Sequence, residues 1–165
     1  MSKDRVGEHI HDCATCDSVN AIAEFRGEYH FLSNFYPSPM TPPTLEHHYA
    51  ALKCADVADS AKVFACKTAG GAKQMARKMK LAPEWDLRKV VVMEDLIRIK
   101  FRDHALREQL RATAPRQLIE GNWWHDNFWG ACWCLKCADK PKQNTLGKLL
   151  MKIRSECMEE LQNEA

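Results

Sequence analysis

Hydrophobic residues along this chain recur mainly at helical spacing, most regularly in its C-terminal part. Between residues 144 and 162, apolar side chains return every three or four positions, and polar side chains occupy the positions between them. This spacing predicts a long amphipathic helix with one buried stripe. The predicted stripe comprises Leu146, Leu149, Leu150, Ile153, Cys157 and Leu161.

Two more helices are predicted in the centre of the chain. Residues 84–101 follow Pro83, which a helix tolerates in its first turn. Asp103 is then placed to cap a shorter helix that contains Leu106 and Leu110. The longer helix has an apolar stripe of Val92, Met93, Leu96 and Ile99.

The preceding region is also mainly helical in pattern. Thr44 can cap a helix over residues 45–59, and helical spacing continues through residues 60–68 and 72–80. The first of these segments is therefore predicted to bury one face. Its apolar face holds Leu45, Tyr49 and Leu52.

Only short segments have a strand-like pattern. β-branched and aromatic residues surround Gly27 within residues 22–35, which predicts two short strands joined by a turn. A further brief strand is predicted over residues 117–121, followed by an aromatic loop over residues 122–130.

The composition agrees with one soluble domain. The chain has 165 residues, of which 45% are hydrophobic and 28% are charged. A chain of this length can bury roughly 70% of its unfolded surface without disulfides or metals. No internal repeat or compositional break marks a second domain. We therefore expect one domain over residues 21–165, mainly α with a small β-sheet, behind an irregular arm over residues 1–20.

Charge and hydropathy limit the classes of partner. A formal net charge of +2 is too small for a protein that binds duplex nucleic acid non-specifically through a basic face. This charge does not exclude a local phosphate-binding site. No apolar run approaches the roughly 20 residues of a membrane span, and residues 1–20 do not resemble a signal peptide. The expected location is cytoplasmic, with no membrane partner.

One loop combines several aromatic rings with an acidic side chain. Residues 121–130 place His125 and Asp126 among these rings, which either pin the loop to the core or bind a ligand. A carboxylate in an aromatic pocket can stabilise a cationic sugar transition state or act as a general base for water. The rings belong to Trp123, Trp124, Phe128 and Trp129.

Other polar residues have two interpretations each. Glu46 and Lys53 lie two helical turns apart and share either a solvated face or a functional one. Arg88 can form a surface ion pair with Glu84, whereas Lys100 continues an apolar stripe and either reaches solvent or meets a buried anion. No dinucleotide-binding, P-loop, α/β-hydrolase or zincin motif is present.

Five segments in fixed order resemble a known family. The chain contains FRGEYHFLSNFYPSPM, LEHHYAALK, EWDLRKVVVMEDLIRIKF, LIEGNWWHDNFWG and NTLGKLLMKIR. This set, over residues 25–154, resembles the NADAR family, also called YbiA-like proteins. The resemblance implies a compact, mainly α fold, an orthogonal helical bundle with a small β-sheet. It also implies an N-glycosidase that needs no cofactor for catalysis.

Characterised members of that family break the bond between ribose C1 and a nitrogen. Some act on early riboflavin-pathway intermediates that carry a ribose phosphate, and others release ADP-ribose attached to guanine. The resemblance therefore implies a substrate containing ADP-ribose or a ribose phosphate, with ADP-ribosylated DNA or RNA among the partners. Removal of ADP-ribose from guanine is the leading hypothesis. The alternatives are hydrolysis of riboflavin-pathway intermediates and an ADP-ribose or NAD binding module that does not cleave.

The resemblance also assigns roles to individual residues. Glu46 matches the family's catalytic glutamate, Asp126 its catalytic aspartate and Trp85 its substrate-facing tryptophan. We expect Asp126 to act on the sugar or on water and Glu46 to transfer the remaining proton, or the reverse. The other implied pocket residues are Asn34, Phe35, Lys53, Arg88, Lys100, Trp129, Gly130 and Asn144.

The cysteines depart from the family pattern. Of eight cysteines, those that lie singly in helical stretches are expected to be core residues. Two CxxC pairs, one in the arm and one after the aromatic loop, have the spacing of a four-cysteine zinc site. The alternatives are a structural zinc ion and unpaired thiols. The candidate ligands are Cys13, Cys16, Cys134 and Cys137, with Cys132 or His11 as a substitute for one of them.

Overall fold

Helices make up most of the part of the chain that the structure, a computed structural model, describes, residues 20–163. Residues 1–19 of the N-terminal arm, with Cys13, Cys16 and His11, lie outside the described residues. Within this range no helix has both the length and the apolar character needed to cross a membrane. The α-helices are α1 (Leu45–Leu52), α2 (Val57–Phe64), α3 (Ala69–Ala76), α4 (Trp85–Lys100), α5 (His104–Ala112) and α6 (Thr145–Asn163).

Two small parallel sheets join distant parts of the chain. β1 (Ala21–Ile22) pairs with β2 (Gln117–Leu118), and β3 (Gly121–Asn122) pairs with β4 (Ala131–Cys132). Each strand has only two residues, so packing rather than strand pairing holds these segments in place.

Two hydrophobic clusters organise the helices. The larger joins α4, α5 and α6 and includes Leu96, Leu110 and Leu150. The smaller joins α1, α2 and α3 and is built around Ala50 and Ala72. Because alanine has a small side chain, the three short helices can approach one another closely.

Several predicted elements are confirmed. α4, α5 and α6 occupy the predicted segments. The Asp103 side chain accepts a hydrogen bond from the Leu106 amide at 2.9 Å, and the Thr44 side chain accepts one from the His47 amide at 3.4 Å. Both side chains cap helices because the first amides of a helix have no partner within it. On α6 the predicted stripe is buried except at Leu161.

The prediction of a single helix over residues 45–59 is wrong. The helix stops because the chain turns to pair with residues 80–82: the Ala55 amide donates to the Lys80 carbonyl and the Ala82 amide to the Lys53 carbonyl, each at 2.9 Å. Asp56 then starts α2 by accepting from the Ala58 amide at 2.7 Å.

The pair of strands predicted around Gly27 is also wrong. Only Ala21–Ile22 is a strand, and Gly27–Leu32 forms a 3₁₀-helix. Gly27 has a φ of +56°, which glycine adopts at little cost. This turn lets Phe31 and Leu32 reach the larger cluster and leads the chain into residues 33–35.

Candidate active site

A cavity of about 430 Å³ lies where α1, α3, residues 33–35 and the aromatic loop meet. We call it the first cavity. α1 contributes Glu46 and Tyr49, whereas the segment that follows β2 contributes Glu120. Its other polar and aromatic lining residues are Ser33, Asn34, Phe35, Lys53, Lys73, Arg77, Asn122, Trp124, His125, Asp126 and Trp129.

Glu46 lies in the first turn of α1 and is buried. Its amide donates to the Asn34 carbonyl at 3.0 Å, which ties the start of the helix to the cavity wall. Burial raises the pKa of the Glu46 carboxyl to about 6, against the opposing effect of three cations. The group can therefore exchange a proton near neutral pH. The cations are Lys73, Lys53 and Arg77.

Asp126 is fixed by its own loop. Its Oδ1 accepts hydrogen bonds from the Phe128 amide at 3.1 Å and the Trp129 amide at 2.8 Å. The Asn122 side chain makes two hydrogen bonds to the Asp126 backbone: it donates one to the carbonyl at 2.6 Å and accepts one from the amide at 3.2 Å. These bonds set the position of the carboxylate before any ligand arrives.

Glu120 is a third carboxyl of the site, and sequence reasoning missed it. Burial, with a smaller contribution from the charge of Asp126, raises the pKa of the Glu120 carboxyl to about 7. Its Oε2 is buried and has no hydrogen-bond partner within residues 20–163. The detectable sign in the sequence was an acidic residue directly after the apolar run Leu118–Ile119.

The predicted catalytic and binding residues fall into two groups. Six of the eleven predicted catalytic and binding residues line the first cavity: Asn34, Phe35, Glu46, Lys53, Asp126 and Trp129. The other five line neither this cavity nor the neighbouring one: Trp85, Arg88, Lys100, Gly130 and Asn144.

Trp85 stands behind the cavity wall. It is buried at the start of α4, and its ring lies 5.2 Å from the ring of Tyr49. Tyr49 in turn meets Trp129 at 5.6 Å, edge to face. Burial also raises the pKa of the Tyr49 phenol above its usual range. Trp85 thus contacts the cavity through Tyr49, while Trp129 faces the cavity directly.

Lys100 does not line the first cavity but contacts Ser33, which does. It is 1% exposed, and its Nζ donates to the Ser33 carbonyl at 2.8 Å. Burial lowers the pKa of the Lys100 ammonium to about 7, although the charge of Glu120 opposes this effect. Arg88, by contrast, is exposed on α4.

Gly130 and Asn144 both contact the backbone of Glu120. The Glu120 amide donates to Asn144 Oδ1 at 3.0 Å, and the Glu120 carbonyl accepts from the Ala131 amide, next to Gly130, at 2.9 Å. Asn144 and the residue that follows Gly130 therefore hold the backbone of Glu120 in place.

Lys73 and Arg77 connect the first cavity to a second one. The second cavity has a volume of about 520 Å³ and also contains Arg26 and His30. The pattern of α3 did not mark either residue as functional, because a lysine and an arginine at helical spacing are typical of a solvated face. The residues that line both cavities are Ser33, Phe35, Lys73, Arg77, Glu120 and Trp124.

Four residues beside the first cavity could hold a metal ion. Their ligand atoms all lie within 4.8 Å of one another. The sequence predicted Cys134 and Cys137 together with the arm cysteines, which lie outside the described residues; within them, the other members of the cluster come from the aromatic loop and β4. The four residues are His125, Cys132, Cys134 and Cys137.

Comparisons with known proteins identify a family model and several similar proteins. A model of the NADAR domain matches residues 23–158. The chain is 33% identical over 148 residues to N-glycosidase YbiA of Escherichia coli (strain K12), covering 85% of this chain and 89% of that protein. It is 36% identical over 119 residues to an N-glycosidase of Nostoc punctiforme, covering 68% of this chain and 72% of that protein.

A longer relative and a solved structure extend these matches. The chain is 34% identical over 137 residues to a riboflavin biosynthesis protein of Vibrio vulnificus, with 78% of this chain covered but only 36% of that protein. The chain therefore spans about a third of that relative's length. The NMR structure of E. coli YbiA superposes with a TM-score of 0.71 at 31% identity, covering 86% of this chain and 88% of that one.

Proposed function

The chain belongs to the NADAR domain family, and from this premise we propose that it is an N-glycosidase that hydrolyses a bond between ribose C1 and nitrogen. The observation that carries the proposal is one cavity lined by Glu46, Asp126 and Glu120 together with Lys73 and Arg77. Carboxyl groups can stabilise positive charge on the sugar and transfer protons, and the cationic side chains can bind phosphate. Relatives named N-glycosidases support the same activity.

Asp126 is proposed to stabilise the sugar. As the C1–N bond lengthens, positive charge develops on the ribose, and a fixed carboxylate stabilises this charge more than it stabilises the neutral ground state. The bonds from the Phe128 and Trp129 amides hold the carboxylate in position, so little reorganisation accompanies the reaction.

Glu46 and Glu120 are proposed to move the protons. Water adds to C1, the C1–N electron pair leaves with the base, and the base takes up one proton. Glu46, with a pKa of about 6, accepts the proton from water. Glu120, with a pKa of about 7, donates the proton to the departing base. Both values lie close to neutral pH, where general acid–base catalysis is most effective.

We propose ADP-ribosylated guanine, in nucleic acid or as a nucleotide, as the substrate. The first and second cavities adjoin, and Lys73 and Arg77 line both of them. This arrangement suits a diphosphate at the junction, because arginine and lysine neutralise phosphate charge. Trp124 also lines both cavities and offers a face on which a base can stack.

An early riboflavin-pathway intermediate is the second candidate substrate. It carries a single ribose phosphate, for which the first cavity with Lys53 is sufficient. The name of the Vibrio vulnificus relative favours this candidate. A module that binds ADP-ribose or NAD without cleaving it is the third possibility, but two or three carboxyls facing an anionic ligand would weaken simple binding.

Base release distinguishes these candidates. The protein is incubated with ADP-ribosyl-guanosine, ADP-ribosylated DNA and the pyrimidine ribose-phosphate intermediate, and the free base is separated and quantified. We expect release from the ADP-ribosylated substrates. Release from the ribose-phosphate intermediate alone would select the second candidate. Absence of release from all three, with tight ADP-ribose binding, would select the binding module.

A matched pair of variants tests the assignment of Asp126. Asp126→Asn keeps an oxygen for the two amide donors but removes the charge, so kcat should fall about 100-fold or more. Asp95→Asn is the control, since Asp95 is exposed on α4 and its ion pair with Arg98, at 3.6 Å, is at the surface. Wild-type turnover by Asp126→Asn would contradict the assignment.

A further inference from the structure

We propose that His125, Cys132, Cys134 and Cys137 bind one zinc ion, and that this ion fixes the loop that presents Asp126 to the first cavity. The metal assignment rests on the geometry and the chemical types of the four side chains and does not depend on the proposed function. The consequence for the loop's role in the reaction also rests on the proposed function.

The distances between the ligand atoms suit a tetrahedral site. His125 Nδ1 lies 3.2 Å from Cys134 Sγ and 3.4 Å from Cys137 Sγ. Tetrahedral zinc with bonds of about 2.0 Å to nitrogen and 2.3 Å to sulfur separates these atoms by about 3.5 Å. All four ligand atoms lie within 4.8 Å of one another, so small side-chain movements complete the site.

The ligand types also indicate zinc. Three thiolates and one imidazole are a common set for a structural zinc ion, and soft sulfur ligands disfavour magnesium and calcium. Four protein ligands leave no open position for water or substrate. The ion is therefore structural, and the carboxyls of the first cavity keep the chemistry.

The four ligands join three segments of the chain beside the first cavity. His125 belongs to the aromatic loop and Cys132 to β4, whereas Cys134 directly precedes the 3₁₀-helix Leu135–Cys137 and Cys137 ends it. Cys132 and Cys137 are fully buried, whereas Leu135 between them is 94% exposed. A metal ion supplies the stabilisation that a segment with so few apolar contacts lacks.

The position of His125 connects this site to the reaction. His125 directly precedes Asp126, and both line the first cavity. Its φ of +69° lies in the left-handed region, which a non-glycine residue occupies only when its surroundings enforce it. Bonding of Nδ1 to the metal would enforce this conformation and thereby keep Asp126 in line with the Phe128 and Trp129 amides.

Metal stoichiometry and a cobalt spectrum test the ligand set without reference to activity. The full chain is purified from cells grown with added zinc, and its metal content is measured. We expect about one zinc per chain. His125→Ala and Cys134→Ser should lose most of the metal, while Cys66→Ser, at a half-buried cysteine outside the cluster, should keep it. Cobalt in place of zinc should give the intense visible absorption of tetrahedral thiolate coordination.

The arm cysteines provide a decisive comparison. A double variant, Cys13→Ser with Cys16→Ser, should keep both the zinc and the cobalt spectrum. Loss of metal in that variant would overturn the ligand set in favour of the two CxxC pairs. A folded wild-type protein that binds neither zinc nor cobalt would overturn the site itself.

Removal of the metal tests its role in positioning Asp126. With zinc extracted by a chelator, and with its loss and the helical circular dichroism both verified, kcat should fall about tenfold or more with a smaller change in KM. Added zinc should restore it. Unchanged kcat in verified metal-free protein would overturn the positioning role. Full metal binding in a protein that cleaves none of the substrates would instead reject the proposed function and leave the zinc site standing.

Discussion

The backbone of Gly130 passes so close to Glu120 that a Cβ on residue 130 would lie 2.1 Å from the Glu120 carbonyl oxygen. The same Cβ would lie 2.8 Å from Nδ2 of Asn122, the side chain that holds the Asp126 backbone. Glycine at this position therefore lets the segments that carry two of the three carboxyls lie side by side.

Replacement of this glycine should be costly. Gly130→Ala forces backbone atoms apart and should lower the free energy of unfolding by about 1 to 3 kcal/mol. Gly70→Ala is the matched control, because Gly70 lies in α3 with nothing within 4 Å of its Cβ position; it should raise the free energy by about 0.5 to 1 kcal/mol. Urea unfolding measures both. Equal effects at the two positions would refute the close approach.

The pH dependence of kcat/KM should be bell-shaped. The proposed mechanism requires deprotonated Glu46, with a pKa of about 6, and protonated Glu120, with a pKa of about 7. The maximum should lie between about pH 6 and pH 7, and Glu120→Gln should remove the fall at higher pH while lowering the maximum. Initial rates of base release across the pH range check this. A fall at high pH that persists in Glu120→Gln would remove Glu120 from the acid role.

Glu46 should stabilise the fold less as the pH rises. Its pKa is raised from 4.5 to about 6 on folding, so the folded state binds the proton more tightly, and stability declines between these two values. Glu46→Gln, which carries no charge, should exceed the wild type by about 2 kcal/mol above pH 6 and match it at low pH.

Urea unfolding at several pH values measures this difference. Glu159→Gln, at an exposed position on α6, is the control and should change little. The variant at position 46 should also lose activity, because glutamine cannot accept the proton that the proposed mechanism transfers from water to Glu46. A destabilised Glu46→Gln above pH 6 would show that burial does not dominate the environment of this carboxyl.

Lys73 should contribute to the binding of an ADP-ribosylated substrate. It lines both cavities and lies 5.4 Å from the centre of the Phe35 ring. Lys73→Ala should raise KM for an ADP-ribosylated substrate by about tenfold or more, because a phosphate contact of roughly 1.5 kcal/mol or more is lost. Lys78→Ala, exposed just after α3, should leave KM unchanged. Equal KM values for the two variants would place the diphosphate elsewhere.

Local interactions explain which elements the sequence predicted well. The stripe of α6, the helix over 85–100 and the cap at Asp103 depend on residues three or four positions apart, which interact as soon as the helix forms. The segment at 45–59 has the same spacing, but its pattern contains no sign of the pairing with residues 80–82 that ends α1.

The residues of the candidate site likewise fall into those that the sequence indicated and those that only the structure revealed. The family motifs and the unusual aromatic loop pointed to Glu46 and Asp126, whose local surroundings are visible in the sequence. Lys73, Arg77 and Glu120 became recognisable only where helices and loops from distant parts of the chain converge. Gly130 and Asn144, which the resemblance implied as pocket residues, line neither cavity: Gly130 packs closely against the Glu120 backbone, and Asn144 accepts a hydrogen bond from the Glu120 amide.

The sequence by itself determined the helical character, the caps and the family of this protein, because those properties depend on neighbouring residues and on motif order. Only the tertiary structure decided that three carboxyls and several cations share one cavity, and that His125 joins three cysteines beside it. The physical reason is that such contacts depend on the path of the backbone, which the packing of the two hydrophobic clusters sets and no local pattern records.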